Sequence, residues 1–320
     1  MNQVRSTDIL PPHRFHCADL VTIPYATCTF HSLPPVAHLS RTPQHPARPF
    51  PAERSGSLRV PVAPATDDPS PVVAGPLPPH PPLREYYSDE AGRTRRVRQW
   101  FDAAAGDYDW INAVMSFGSG RRYRREALRR AGVGPGQRVL DVGSGTGMIA
   151  ALAQPLVGNG GLVVALDPSQ GMLARARDRG VRRTVPGWAE RLPFADASFD
   201  RLTMGYALRH VADLAATFRE FRRVLRAGGG LLLLEITRPR NALGHAALRF
   251  YLRSLVPLAT RTCGRGRAPA QLMRYYWDTI EHCVSPETIL AALRQAGFQA
   301  VQRRTVFGVF SEYTAQNPTC

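Results

Sequence analysis

The chain has 320 residues, enough for one large or two ordinary domains, and its 41 basic residues, all arginine, outnumber 25 acidic ones to give a formal net charge of +16. Its five cysteines, Cys17, Cys28, Cys263, Cys283 and Cys320, are odd in number, far apart and without a C-x-x-C pair. That usage signals neither a disulfide framework nor a zinc site and fits a reduced cytoplasmic compartment; no metal is expected, and no apolar run is long enough to span a membrane.

Eighteen of the 28 prolines precede Arg84, and the stretch from Met1 to about Pro82 shows neither helical nor strand periodicity. Residues 1–85 are therefore expected to be a disordered Pro-rich extension, because they cannot bury enough apolar surface to offset the entropy of ordering. Leu20 to Phe30 is mildly apolar but broken by Pro24 and has no basic leader, which makes it a poor signal peptide. Asp8, Asp19, Glu53, Asp67 and Asp68 argue against a transit peptide. Residues 1–90 hold seven arginines against eight acids, so the whole basic surplus lies after residue 90, on the expected folded part, 86–320. A basic surface attracts anionic lipid or nucleic acid, although arginine without lysine also arises from base-composition bias.

From Arg93 to Met115 apolar residues recur at helical spacing; SFGSG then turns the chain, and a second helix runs from Arg121 to Arg130. Strand one ends at Asp141, and a helix follows from Thr146 to Leu156. Strands two to five are expected at Leu162 to Leu166, Val181 to Val185, Phe199 to Tyr206 and Leu231 to Ile236. Helices lie between them, one starting at Pro168 and one from Asp213 to Arg226 stopped by Gly228 to Gly230. Asn241 to Leu258 and Ala270 to His282 read as helices joined by the turn Cys263 to Arg267, a lid insertion at about 238–283. Ser285 caps a helix that ends at Gly297, and Phe298 to Thr305 with Phe307 to Ala315 form an antiparallel edge pair. The expected fold is α/β: a doubly wound seven-stranded sheet, mostly parallel with an antiparallel last strand, preceded by helices and carrying a helical lid.

The stretch RVLDVGSGTG, Arg138 to Gly147, concentrates the chemistry. A buried strand ends in Asp141, and Gly143, Gly145 and Gly147 let the backbone turn sharply beneath a ligand beside a helix N-terminus. Counted from Gly143, the dinucleotide pattern G-x-G-x-x-G fails at Met148; counted from Gly145 it reaches Ala150, so a dinucleotide stays open as a looser match. An acid ahead of the glycines suits a ligand with an ammonium group, and the D-x-G-x-G-x-G run resembles the first motif of Rossmann-like methyltransferases that bind S-adenosyl-L-methionine (AdoMet). Asp141 can hold the loop and, directly or through water, the ammonium. Asp167, twenty positions after Gly147, can accept both hydroxyls of a ribose and also cap the next helix.

The runs FDAAAGDYDWINAVMSFG, VLDVGSGTG, AERLPFADASFD, YALRHVAD and PETILAALRQAGF, in that order between Arg96 and Tyr313, resemble the ubiquinone/menaquinone-biosynthesis C-methyltransferase family. The resemblance implies that Thr146 and Asp167 bind AdoMet and that Ala189 is one half of an Asn-Ala pair reaching the adenine. The other half is Trp188 here, which replaces an amide hydrogen bond with an aromatic face. Gly205 stands where the family has Ser. Tyr108 and Asn112 match a Y-D-x-x-N element that closes over the cofactor, and Arg209 matches an arginine near the transferred methyl, followed by His210 in place of Asn.

The implied reaction transfers a methyl group to a ring carbon of a quinol or polyprenylated aromatic. Arg209 would favour the phenolate, and His210, with an ordinary pKa near ~6.5, would receive a proton. Their plainer readings are a surface ion pair with Asp213 and a solvated or capping histidine. Tyr275, Tyr276 and Trp277 would line the acceptor cavity or pack the lid, and Phe250, Tyr251, Leu255 and Leu258 raise the same choice. The expected partners are a lipophilic aromatic small molecule, an anionic membrane met peripherally on its inner face through Arg249, Arg253, Arg261, Arg265 and Arg267, and a second copy in a homodimer. Rival readings are an O-, N- or C-methyltransferase of another small aromatic or lipid, a nucleic-acid methyltransferase and a non-catalytic AdoMet binder. The nucleic-acid reading lacks its D/N-P-P-Y run, because Gly205-Tyr206-Ala207-Leu208 stands there, and no nucleic-acid partner is expected.

Overall fold

The computed structural model describes residues 76–319 apart from 88, 107, 116–118 and 259–267. The expected disorder of residues 1–75 and the turn at Cys263 to Arg267 therefore fall outside the described residues. Three helices open the domain: α1 (Glu90–Ala104), α2 (Tyr108–Met115) and α3 (Gly120–Arg130). The first two, expected as one continuous helix, part after Ala104. Then come β1 (Arg138–Val142), α4 (Met148–Val157), β2 (Leu162–Asp167), α5 (Gln170–Asp178), β3 (Thr184–Pro186), β4 (Phe199–Gly205), α6 (Leu214–Val224) and β5 (Leu225–Ile236). The lid supplies α7 (Ala242–Phe250), continued by a wider π-turn at Tyr251–Leu255, and α8 (Ala268–Glu281); α9 (Pro286–Gln295), β6 (Gln299–Val306) and β7 (Phe310–Gln316) complete the chain.

The seven strands lie in the order β3-β2-β1-β4-β5-β7-β6, with β7 antiparallel to both of its neighbours. This is the expected doubly wound sheet. Every residue of β2 is buried, as a parallel strand covered on both faces requires. Leu140, Leu166 and Leu233 face one layer with Phe218, Phe221 and Leu293, while Val139, Val163 and Leu232 face the other with Leu128, Ile149 and Leu152. Strand order reverses between β1 and β4, so the crevice beyond their carboxyl ends is where such a sheet offers a ligand site.

Two expectations shift in detail. The helix expected to reach Arg226 stops at Val224, and Gly228 to Gly230 run inside β5 rather than ending the helix. The Asn317 side-chain amide explains the earlier stop, since it donates to the carbonyls of Arg222, Leu225 and Arg226 and satisfies groups that a further helical turn would have used. The second shift concerns the extension. Residues 76–85, assigned by sequence to disordered chain, are a strap packed on the domain. The Leu77 N–H donates to Asp213 at 3.0 Å, the Leu214 N–H to the Leu77 carbonyl at 2.9 Å and the Val284 N–H to the Pro79 carbonyl at 2.7 Å.

Candidate active site

Gly143, Gly145 and Gly147 have φ of 62°, 56° and 76°, a left-handed succession that side chains resist, and this lets the loop turn from β1 into α4. The glycines then diverge in what they do. Gly143 and Gly145 line a cavity of about 420 Å³, within the range of small-molecule sites. Gly147 does not: an added Cβ there would meet Ala176 and Val181 at 2.8 Å, so this glycine serves the packing of α4 on α5 rather than a ligand.

Asp141 holds the loop, as expected, and does not itself line the cavity. Its carboxylate is buried and absent from the cavity lining, and it accepts from the Ser144 and Thr203 hydroxyls at 2.7 and 2.8 Å and from the Ala150 N–H at 3.2 Å. It braces the glycine loop against β4 and the start of α4. Thr146 is likewise drawn away, donating to Asp109 at 2.6 Å and accepting from Arg179 at 3.3 Å, which ties the loop to α2.

Asp167 lines the cavity. One carboxylate oxygen accepts the Gly145 N–H and the other the Ser169 N–H, both at 2.8 Å. Each oxygen keeps a further lone pair, the pair of acceptors that the two hydroxyls of a vicinal diol need. Burial, opposed by these N–H bonds and reinforced by the charges of Asp141 and Asp102, raises its pKa to about 6. Trp188 and Ala189 border the same cavity over the apolar floor of Leu166, Met172 and Met204. Trp188 remains 39 % exposed, an uncovered aromatic face at the wall. Gly205 lines it too, and a Cβ there would meet the tip of Ile149 at 2.3 Å, so a serine would need that side chain to move. Tyr108 lies over the cavity with its hydroxyl bonded to that of Tyr276. The Asn112 side chain lies outside the described residues.

The two expected catalytic residues separate. His210 lines the cavity; its Nδ1 stands 3.4 Å from the Tyr275 hydroxyl and its buried Nε2 has no hydrogen-bond partner. Burial first, then the charges of Arg209 and Arg93, hold its pKa well below the usual histidine range. Arg209 does not reach the cavity. It is 1 % exposed, donates to Glu235 at 2.7 Å and to Thr279 at 3.2 Å, and lies over the Tyr276 ring at 4.4 Å. Its ion-pair partner is thus Glu235 rather than Asp213, which caps α6 through the Ala215 N–H at 2.8 Å. Tyr275, Tyr276 and Trp277 are buried among Val97, Leu252 and Met273, so these aromatics pack the lid, and Tyr276 lines the cavity as well.

A carboxylate with spare lone pairs at the tip of β2, a side-chain-free loop and an aromatic wall meet around one mostly apolar cavity, and the chain from residue 89 to 316 matches the model of the ubiE/COQ5 methyltransferase family. The chain belongs to that family. It is 36 % identical over 219 residues to the ubiquinone/menaquinone biosynthesis C-methyltransferase UbiE of Pseudomonas putida, covering 66 % of this chain and 84 % of that one. It is also 36 % identical over 214 residues to the demethylmenaquinone methyltransferase of Mycobacterium tuberculosis, covering 67 % and 88 %. The fold matches that of phosphoethanolamine N-methyltransferase 2 of Haemonchus contortus, solved with S-adenosyl-L-methionine, at a TM-score of 0.51 and 18 % identity over 68 % of this chain and 57 % of that one.

As a ubiE/COQ5 member the protein is an AdoMet-dependent methyltransferase. The cavity fits that cofactor, since Asp167 offers acceptors for a ribose and Gly143 and Gly145 bring no side chain to the lining. One residue escaped the sequence reading. Arg124 is 7 % exposed on the inner face of α3, in the buried stripe Gly120, Arg124, Ala127, Leu128. The signal was present: a charge at helical spacing among positions that face the core.

Proposed function

We propose that this methyltransferase acts on a ring carbon of a quinol bearing an apolar chain, a ubiquinone or menaquinone precursor, and that Asp167, Gly143, Gly145, Trp188 and Ala189 hold the cofactor. Relatives named for quinone biosynthesis support the acceptor class. The observation that carries the reading is His210: a neutral ring nitrogen without a partner in a mostly apolar cavity, bounded by Phe101, Tyr275 and Tyr276. When bound, AdoMet supplies an activated methyl group. The protein orients the ring, excludes water and removes one proton. The hydrogen on the newly methylated ring carbon is strongly acidic because its loss restores aromaticity, so a weak base such as His210 suffices, and burial keeps that base unprotonated. Arg209 is a positioning residue: it holds the turn Leu208–His210 and the Tyr276 ring from behind.

We also propose peripheral attachment to an anionic membrane through the lid, where Leu243, Phe250, Leu255 and Leu258 are exposed beside Arg249 and Arg253. Among the described residues no helix is long and apolar enough to cross a membrane.

Incubation with methyl-labelled AdoMet and prenylated 1,4-naphthohydroquinone or benzoquinol acceptors, kept anaerobic, tests the reaction. The expected product carries the label on a ring carbon. A label on oxygen or nitrogen, or labelling of some other component of a lipid extract with the quinols untouched, would replace the quinol by a different small aromatic or lipid.

A further inference from the structure

A second, smaller cavity of about 110 Å³ lies behind the first, and the two share Tyr206 and Tyr276 as their partition. The smaller cavity is walled by Ile236, Leu252, Val309 and Phe310 and opens past Leu248 towards Phe307, which is 89 % exposed. One charge lines it. The Arg124 guanidinium lies 4.8 Å above the Tyr206 ring, and among the described residues it has neither a hydrogen bond nor an ion pair. A buried cation lacking a carboxylate is costly unless something else meets it. The backbone adds a second sign of function: Tyr206, a bulky residue, is held at φ 61°, a strained conformation that concentrates at working sites.

We infer that Arg124 is the receptor for the acceptor's ionised ring hydroxyl, with the acceptor lying along the Tyr206–Tyr276 partition between the two cavities and its apolar chain running out past Leu248 and Phe307. This rests on the quinol reading above and names the group in the protein that activates the quinol. The hydroxyl proton passes to water. The electron pair left on oxygen is delocalised into the ring and makes the ring carbons beside and opposite the oxygen nucleophilic, with no change of oxidation state. The guanidinium suits this task, because its fork of donors meets a phenolate oxygen while its face rests on an aromatic ring.

The carboxylates near Arg124 spend their hydrogen bonds on other partners, and Asp141 meets its charge only across space. Asp141, from β1, is satisfied by Ser144, Thr203 and Ala150; Glu235, from β5, is satisfied by Arg209 and the Leu208 N–H; Glu312, from β7, is paired with Arg130 at 2.6 Å. Tyr108, Tyr206 and Tyr276 are neutral phenols whose pKa values burial raises.

The test uses Arg124→Gln and Arg124→Lys in the full-length chain, since among the described residues no carboxylate is hydrogen-bonded or ion-paired to Arg124 and Asp141 feels its charge only across space. Bound 2-naphthol reports directly, because naphthol and naphtholate absorb at different wavelengths. A cation within reach of the oxygen lowers the ionisation midpoint of the bound probe by about one to three pH units. That lowering should be present in the native protein, absent in Arg124→Gln and restored in part by Arg124→Lys, with AdoMet affinity unchanged in all three. In turnover, Arg124→Gln should displace the rising limb of the pH profile for 1,4-naphthohydroquinone to higher pH. Identical probe midpoints in native protein and Arg124→Gln would overturn the assignment. A shifted naphthol midpoint with no quinol turnover would keep Arg124 as an oxyanion receptor and overturn the quinol instead.

Discussion

At the scale of single residues, the buried ion pair Arg209–Glu235 decides how the site is built. Both side chains are almost fully enclosed, at 1 % and 5 % exposure, so each depends on the other for its solvation. Removing one partner leaves an uncompensated charge, a cost of about 3–5 kcal/mol, whereas replacing both by apolar residues of similar volume is often close to neutral. Arg209→Ala should therefore unfold at a clearly lower temperature than the native protein, and Arg209→Leu/Glu235→Leu should recover most of that loss. Turnover separates positioning from support: the double variant should remain slow with AdoMet affinity retained, because the Tyr276 ring and the turn Leu208–His210 lose the guanidinium behind them. A stable double variant with native turnover would remove Arg209 from the reaction altogether. Sequence named this arginine, and its plainer reading paired it with the nearest acid along the chain, Asp213. Which carboxylate meets it depends on β5 lying beside β4, a contact between residues 26 apart in sequence.

At the scale of elements, local patterns carried the fold and long-range contacts carried what was missed. The glycine loop, the apolar strands and the Ser285-Pro286 helix start are readable because their causes are local: backbone freedom, period and capping. The strap at residues 76–87 is not readable in the same way, since its composition is that of the Pro-rich chain before it and its order comes from partners far along the sequence. Tyr86 bonds Asp278 of α8 and sets its ring edge-on to Trp100 of α1 and Tyr275 of α8. Asp213 ties Leu77 to the start of α6 just after His210. The strap thus clips the lid helix to the turn that carries His210, and it lies ahead of the residues that match the family. Tyr86→Ala should accelerate amide hydrogen exchange in residues 76–87, in α8 and in the turn 208–210 while leaving β1, β2 and α4 protected. Tyr86→Phe, which keeps the ring contacts, should show a smaller effect of about 1 kcal/mol, the worth of one hydrogen bond. Exchange unchanged outside the strap would make it a passive covering.

At the scale of the whole molecule, charge and exposed apolar surface fall on the same side of the argument. The net charge of +16 lies outside residues 1–90, where arginines and acids nearly balance. On the lid, α7 buries no residue, and Leu243, at 83 % exposure, and Phe250, at 59 %, stand clear of the core with Arg249 and Arg253 exposed between and beyond them. A helix with that pattern gains by laying its apolar side chains among acyl chains while arginines meet anionic headgroups, each worth about 1 kcal/mol near the surface. The smaller cavity opens close by at Leu248 and Phe307, so a lipid-borne acceptor would pass from bilayer to site without crossing water. Sedimentation with phosphatidylglycerol-containing vesicles should therefore carry the enzyme down at low salt and release it progressively as salt rises, with pure phosphatidylcholine retaining little. Leu243→Ser/Phe250→Ser should weaken binding with the salt dependence preserved, whereas Arg249→Gln/Arg253→Gln should flatten the salt dependence itself. Equal binding to neutral and anionic vesicles, or variants indistinguishable from the native protein, would leave the arginine surplus a matter of coding bias and the lid a water-facing cover.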